Sequence, residues 1–415
     1  MRSGLLISTL VSVALSTVTS RANAQGVPND GFPSWQERTV WVLVNRDRAD
    51  PGTALAPCIA DGGCPDADCF ETPLPPLAYN FDLNRSARLQ PQLLAENNVF
   101  LMHPSPCVLS SNIGTTYPDE CDGGDACACQ TPVQCSNPPD TQSCDCTENT
   151  SDPSKFTAPF TRIRMFAPGA GTYAENIAGG AADPMQVEQE WLLEDCPCCD
   201  RTSCQGVECP STEPIPPTNG HRANLLSTAI NSVGLGAIQS PVSDCYGPGS
   251  FEQPYYWAQD FAYFVDAAVQ KLVAGSHFPQ SGTSLTFYAN WFDPVGGVPA
   301  SASVIIDGKS NAMSVDRGSG GNATYVYAAT LPANSCKSYT FAFTDSSGEH
   351  AILPVSGSYL AGDTCAADFA AGGGCATGAG EPWFGVLFLA VAGLRPLGLR
   401  SRNSRLGARK LTNRQ

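Results

Sequence analysis

The stretch Asn219 to Gly236 reads NGHRANLLSTAINSVGLG, and two others answer to it: Tyr173 to Gly180 (YAENIAGG) and Val187 to Glu194 (VEQEWLLE). With His103, which follows an apolar segment, they supply two histidines and two glutamates: His103, Glu175, Glu194 and His221. The chain has 415 residues and 4 histidines, so two of them inside motif-like, apolar-flanked stretches point to a shared cleft.

Around these stretches the periodicity predicts elements. Ala223, Leu225, Leu226 and Ile230 give a short helix, Val233 to Ile238 a strand, and Tyr255 to Val265 (YYWAQDFAYFV) a longer strand rich in aromatics. Met185 to Glu194 reads as an amphipathic helix with Val187 and Trp191 facing the core. Glu194 follows Trp191 by three residues and is its neighbour on the helix surface. Upstream, Val40 to Val44 followed by Asn45-Arg46 predicts a helix running into the first cysteines. From Asp82 to Met102, the apolar residues Leu83, Ala87, Leu94, Ala95, Val99 and Met102 fall close to helical spacing. Pro91 is expected to kink or divide that helix, and His103 to close it.

Nineteen cysteines, 15 of them between Cys58 and Cys209, argue for a disulfide framework in an oxidising compartment. They form three islands: Cys58, Cys64 and Cys69; Cys107 to Cys146; and Cys196 to Cys209. None has zinc-ribbon spacing with histidines nearby. The second and third islands belong to insertions at about 104–160 and 195–218, poor in apolar residues and expected to be held by disulfides.

The two ends carry sorting signals. Residues 1–24 have a basic start, an apolar run from Leu5 to Val18 and an Ala22-Asn23-Ala24 cleavage site, as in a secretory signal peptide. Residues 372–415 contain a Gly-rich spacer (GGGCATGAG), an apolar segment from Trp383 to Leu394 and seven basic residues with no acidic ones after it. That tail resembles the myxobacterial class of C-terminal sorting tail. The resemblance implies processing near Gly374-Cys375 by a sorting protease and a place on the cell surface or outer membrane, with membrane contact only through the tail. Cys375 is the expected unpaired cysteine. Without both ends the body keeps 14 basic and 38 acidic side chains, about −24, which disfavours nucleic acid and anionic membranes. The acidic stretches Asp61 to Asp68 (DGGCPDAD) and Asp119 to Asp125 (DECDGGD) do not fit the EF-hand pattern and read as solvated loops.

Residues 267–366 change character. Short apolar runs alternate with turns: Leu285 to Phe292, Ala302 to Asp307, Thr324 to Ala329, Tyr339 to Phe343 and Ala351 to Val355. They predict a small all-β sandwich of immunoglobulin or fibronectin III character, with Trp291 in its core and Cys336 paired to Cys365. His277 and His350 stand alone there, and a spacer or adhesion module is expected.

Taken in order, N-x-x-R (Asn45 to Arg48), P-P-L-A-Y-N (Pro75 to Asn80), an apolar helix ending in His103, A-E-N-I-A, W-x-x-E, G-H-R-x-N-L-L, V-G-L-G and Y-W-A-Q-D-F resemble the CAP superfamily. This is the secreted domain of cysteine-rich secretory proteins, antigen 5 and pathogenesis-related proteins, here in a bacterial form over residues 35–266. The resemblance implies an α+β fold, a three-layer α-β-α sandwich whose cleft carries His103, Glu175, Glu194 and His221. Two imidazoles, His103 and His221, suit zinc or another divalent cation, while carboxylates orient the rings or a water. The same four side chains also serve as hydrogen-bonded scaffolding. As a metal-dependent hydrolase or protease, the chain would use Glu175 or Glu194 as general base. Ser105 and Ser227 lie near the histidines, but neither sits in a nucleophile-elbow pattern. The expected function is binding of an extracellular ligand (lipid, polysaccharide or protein), with hydrolysis and structural adhesion as alternatives.

Overall fold

The computed structural model describes residues 33–64, 66–96, 101–117, 129–132, 151–193, 220–239 and 255–370. All of these fall in one compact unit, Met1–Gly372. Residues 1–24, read as a signal peptide, the second unit Gly373–Gln415 with its apolar and basic stretches, Glu194, the stretch 119–125 and the third cysteine island lie outside the described residues.

The chain is mixed α+β. Its first part runs α1 (Trp35–Ala49), α2 (Pro51–Ala60), β1 (Ala78–Tyr79), α3 (Phe81–Glu96), β2 (Cys107–Leu109), α4 (Ile113–Thr116), β3 (Cys129–Pro132), α5 (Pro159–Phe166), β4 (Tyr173–Gly179), α6 (Pro184–Leu193), α7 (Gly220–Leu225), β5 (Ser232–Gln239) and β6 (Tyr255–Ala262). Four strands make one sheet in the order β1-β5-β6-β4, with β4 at an edge. Strand alternation sends neighbouring residues to opposite faces. Ile177, Ala258 and Ala262 therefore meet Leu83 and Ala87 of α3 and Ile163 of α5. Val233, Leu235, Trp257 and Phe261 join the cluster formed with α1, α6 and α7 on the other face.

Two glycines set how closely α3 lies on β5. A Cβ on Gly234 would fall 2.0 Å from the backbone of Leu83 and Asn84, and one on Gly236 would fall 2.1 Å from the Ala87 carbonyl oxygen. V-G-L-G is thus the footprint of a helix backbone resting on a strand. Asn80 holds the start of α3, accepting from the Leu83 N–H at 3.0 Å.

Several expectations change. Pro91 lies inside α3 without dividing it, and the helix ends at Glu96. His103 lies in a bend seven residues beyond that end rather than closing the helix. Helix α7 stops at Leu225, leaving Ile230 buried outside it, and β6 stops at Ala262, leaving Val265 exposed. The start of the first insertion shares a core after all, since Cys107, Leu109, Ile113 and Tyr117 pack with Leu89, Leu93 and Phe166. Asp66, read as part of a solvated loop, is fully buried because it pairs with Arg222.

The second region runs β7 (Leu272–Phe278), β8 (Ser284–Phe292), β9 (Ser301–Ile306), β10 (Lys309–Ala312), β11 (Ser314–Ser319), β12 (Asn322–Thr330), β13 (Cys336–Thr344), β14 (His350–Leu353), β15 (Ser358–Gly362) and β16 (Phe369–Ala370). One sheet has the order β10-β9-β13-β15-β16, with β14 also on β13; the other has the order β11-β12-β8-β7. Leu285, Phe287 and Trp291 of β8 and Tyr325 of β12 share a core with Val304, Ile306, Phe341 and Phe343. Cys336 pairs with Cys365, as expected, and Cys58 pairs with Cys64, at Cα–Cα separations of 4.8 and 5.7 Å. Cys69 and Cys107 are also disulfide-bonded.

Helix α1 joins the two regions. Val273 and Ala274 of β7 enter the same cluster as Val40, Trp41 and Val44 of α1. Trp35 Nε1 donates to the His277 carbonyl at 2.8 Å, and Asn290 Nδ2 to the Val42 carbonyl at 3.2 Å. Arg317 of β11 ion-pairs with Asp47. Covered from both directions, α1 leaves only Gln36 and Arg46 partly open.

Candidate functional site

Glu175 and Asn176 are consecutive on the edge strand β4, so their side chains leave on opposite faces. Glu175 faces α3 and α5. Its Oε1 accepts from His103 Nδ1 at 2.8 Å, and its Oε2 forms an ion pair with Arg162 of α5. The glutamate side chain is 1% exposed, whereas that of His103 is 47% exposed. The bond therefore anchors the ring from its buried side and leaves the rest of it open.

Arg162 is the hub of this face. The register of β4 against β6 places Glu175 directly opposite Asp260, and facing carboxylates in an apolar interior repel unless a cation lies between them. The buried guanidinium supplies it, with Asp260 Oδ1 at 3.8 Å. Its Nη1 also donates to Gln90 Oε1 at 2.7 Å, the His103 carbonyl at 3.1 Å and Ser105 Oγ at 3.1 Å. The segment that carries His103 is thus tied to α3, α5 and the sheet at once. Burial raises the Asp260 pKa to about 6, against the pull of Arg162 and a hydrogen bond with Ser86.

Asn176 serves the opposite face. Its Nδ2 donates to the His221 carbonyl at 3.2 Å and to Gln259 Oε1 at 3.0 Å. Asn224 returns the contact, donating to Asn176 Oδ1 at 2.9 Å and the Glu175 carbonyl at 3.2 Å. Arg222 fixes the far side of α7 by pairing with Asp66 at 3.2 Å and donating to the Leu192 carbonyl at 2.7 Å. The Glu175-Asn176 dipeptide therefore addresses both histidine-bearing segments, Glu175 through an imidazole and Asn176 through a carbonyl.

Burial, then the charges of nearby His221 and Arg162, push the His103 pKa below the ordinary imidazole value; burial lowers that of His221 as well. Both rings are neutral at pH 7. A neutral His103 whose Nδ1–H points at Glu175 keeps a lone pair on Nε2 for a ligand. Among the described residues, no group of three or more His, Cys, Asp and Glu side chains is arranged to hold a metal ion. Glu175 itself is occupied on both oxygens.

Ser105 is fully buried, donating to Gln90 and accepting from Arg162, and Ser227 Oγ accepts from the Ala229 N–H. His277 is buried in the second region, bonded to the Tyr339 hydroxyl and the Gln280 carbonyl. Arg162, Asp260, Gln259 and Asn224 escaped sequence reasoning. Only the alignment of β4 with β6 shows that Glu175 and Asp260 face each other and need a cation. No family model matches this chain, and no curated protein matches it.

Proposed function

We propose that this chain is an exported, surface-anchored CAP-like protein that binds an extracellular lipid, polysaccharide or protein at the β4 edge, with His103 and His221 offering two nitrogen ligands to zinc or another divalent cation. The observation that carries the binding site is the Arg162–Glu175–His103 chain. It presents one nitrogen of a half-exposed imidazole and spends the carboxylate on orienting it, the arrangement that supports metal-bound histidines. Neutral imidazoles fit such an ion. Two protein ligands are fewer than the three usual in catalytic zinc sites, so water or the bound ligand completes the shell and affinity is modest. A bound ion would add a positive centre for a carboxylate, phosphate or carbonyl of the ligand.

Support for the CAP-like reading comes from the four-stranded sheet with helices on both faces and from the motif residues that interlock around it. The two-sheet region fits an immunoglobulin-like or fibronectin III-like module. Disulfides suit an oxidising compartment, and the leader and tail suit export and sorting. Hydrolysis needs a free general base, which Glu175 is not; in that alternative Glu194 would have to supply it.

Calorimetric titration of the full mature chain with zinc, beside His103→Ala and His221→Ala, tests the proposal. Binding lost in both variants with the fold intact supports one shared site. Undiminished binding in both would remove the cation from the reading, and absence of binding in the unmutated chain would make the histidines scaffolding.

A further inference from the structure

We propose a second binding site, at one end of the two-sheet region, for a single ring of an acidic saccharide. A groove of about 220 Å³ opens there, lined by the β9–β10 hairpin, the end of β12 and the start of β13. Pockets that enclose whole drug-sized ligands run ~300 to 1,000 Å³, so this one suits one ring of a longer chain.

Its lining has two characters. Buried Ile306 and Leu331 with half-buried Tyr327 give an apolar side; Asp307, Asn311, Lys309 and Lys337 give a polar one. A pyranose divides in the same way, into a C–H face that lies on aromatic or aliphatic carbon and a belt of hydroxyls. The Asn311 amide is fixed in place: Nδ2 donates to the Lys309 carbonyl at 2.9 Å and the Val304 carbonyl at 3.3 Å, and Oδ1 accepts from the Tyr327 hydroxyl at 3.3 Å, which leaves the second lone pair of Oδ1 for a sugar hydroxyl.

Charge selects an acidic ring. Lys337 Nζ pairs with Asp307 Oδ2 at 2.7 Å and is balanced locally. Lys309, exposed at the start of β10, has no acidic partner among the described residues and leaves the groove with a surplus positive charge. Five lysines occur in the whole chain, and two of them line this groove on an otherwise acidic protein. At physiological salt, exposed charges beyond about 8 Å are largely screened, so an acid group in the groove feels Lys309 rather than the distant carboxylates. An acidic peptide would gain most by adding a strand at the β10 edge. That strand spans only Lys309–Ala312 and is a poor template.

Titration of the full mature chain with trigalacturonic acid and with its methyl ester, which keeps the rings and removes the charge, tests this. The acid is expected to bind and the ester to bind about fivefold more weakly, the scale of one exposed ion pair. Lys309→Gln, which breaks no contact that holds the fold, is expected to weaken the acid about fivefold and erase its preference over the ester. Absence of saturable binding, equal affinity for acid and ester, or an unchanged Lys309→Gln variant would each overturn the proposal. Tighter binding of oligoglutamate than of the saccharide would overturn it in favour of a peptide.

Discussion

The two regions of this molecule are filled differently. Around the four-stranded sheet the interior is full of charge: Arg48, Arg162 and Arg222 are buried with Glu37, Asp66, Glu175, Glu188 and Asp260. Between the two sheets of the second region the core is aromatic and aliphatic, with Trp291, Phe341 and Phe343 at its centre. There the buried polar groups Ser276 and Asn290 face away, onto α1, and the buried His277 is satisfied by the Tyr339 hydroxyl and the Gln280 carbonyl. An apolar layer asks only for volume and alternation. A buried guanidinium asks for particular oxygens from particular segments, and so dictates which loops meet.

The largest test of that contrast is Arg162→Met. It would leave Glu175 and Asp260 facing each other without a cation, a loss of about 3–5 kcal/mol by denaturant unfolding. A change below 1 kcal/mol would mean that the guanidinium does not specify this region.

Next in size is a pH effect at the seam between α1 and α6. Burial and adjacent Asp47 hold the Glu188 pKa well above its ordinary value, while Arg317 reaches Asp47 from β11. For a raised carboxyl, the contribution to stability is complete below the unfolded value near 4.5 and is lost as pH climbs toward the folded one. Unfolding measured across this range should show the unmutated protein losing stability relative to Glu188→Gln as pH rises, by at most about 1.4 kcal/mol per pH unit for one proton. The comparison cancels the slopes that both proteins share, from the raised Glu37 and Asp260 carboxyls and the lowered His103, His221 and His277 imidazoles. Parallel curves for the two proteins would remove Glu188 from this role.

The smallest effect is expected in the second region. Leu285→Met keeps volume in an apolar layer and should cost about 1 kcal/mol or less by thermal unfolding. A loss as large as that of Arg162→Met would erase the distinction between the regions.

The same contrast decides what the amino-acid order discloses. Strands β8, β9, β12 and β13 are legible because one face is buried and the other open, so apolar residues alternate. Helix α6 shows itself through Val187 and Trp191. Strand β7 hides because α1 covers its outer face and burial is nearly continuous along it, and β10 and β11 hide because they are mostly exposed. Glu175 and His103 stand out as chemistry-bearing residues, and the structure joins them at 2.8 Å. Arg162 does not stand out, because its value depends on two carboxylates brought opposite each other by a strand pairing 85 residues apart in sequence. The placement of His103 after a helix end, in a bend, also depends on those distant partners.

Helix α1 has a consequence for how the chain is made. It is among the first described segments to be synthesised, yet Arg317, which ion-pairs with its Asp47, is 270 positions away. A nascent chain that has grown only to β6 carries α1 with the surface meant for Val273 and Ala274 still wet. Contacts of such long sequence separation form slowly and leave apolar surface open to wrong partners in the meantime. The first region therefore waits for the second to be translated before its oldest helix is covered, and a holding chaperone is most useful during that interval.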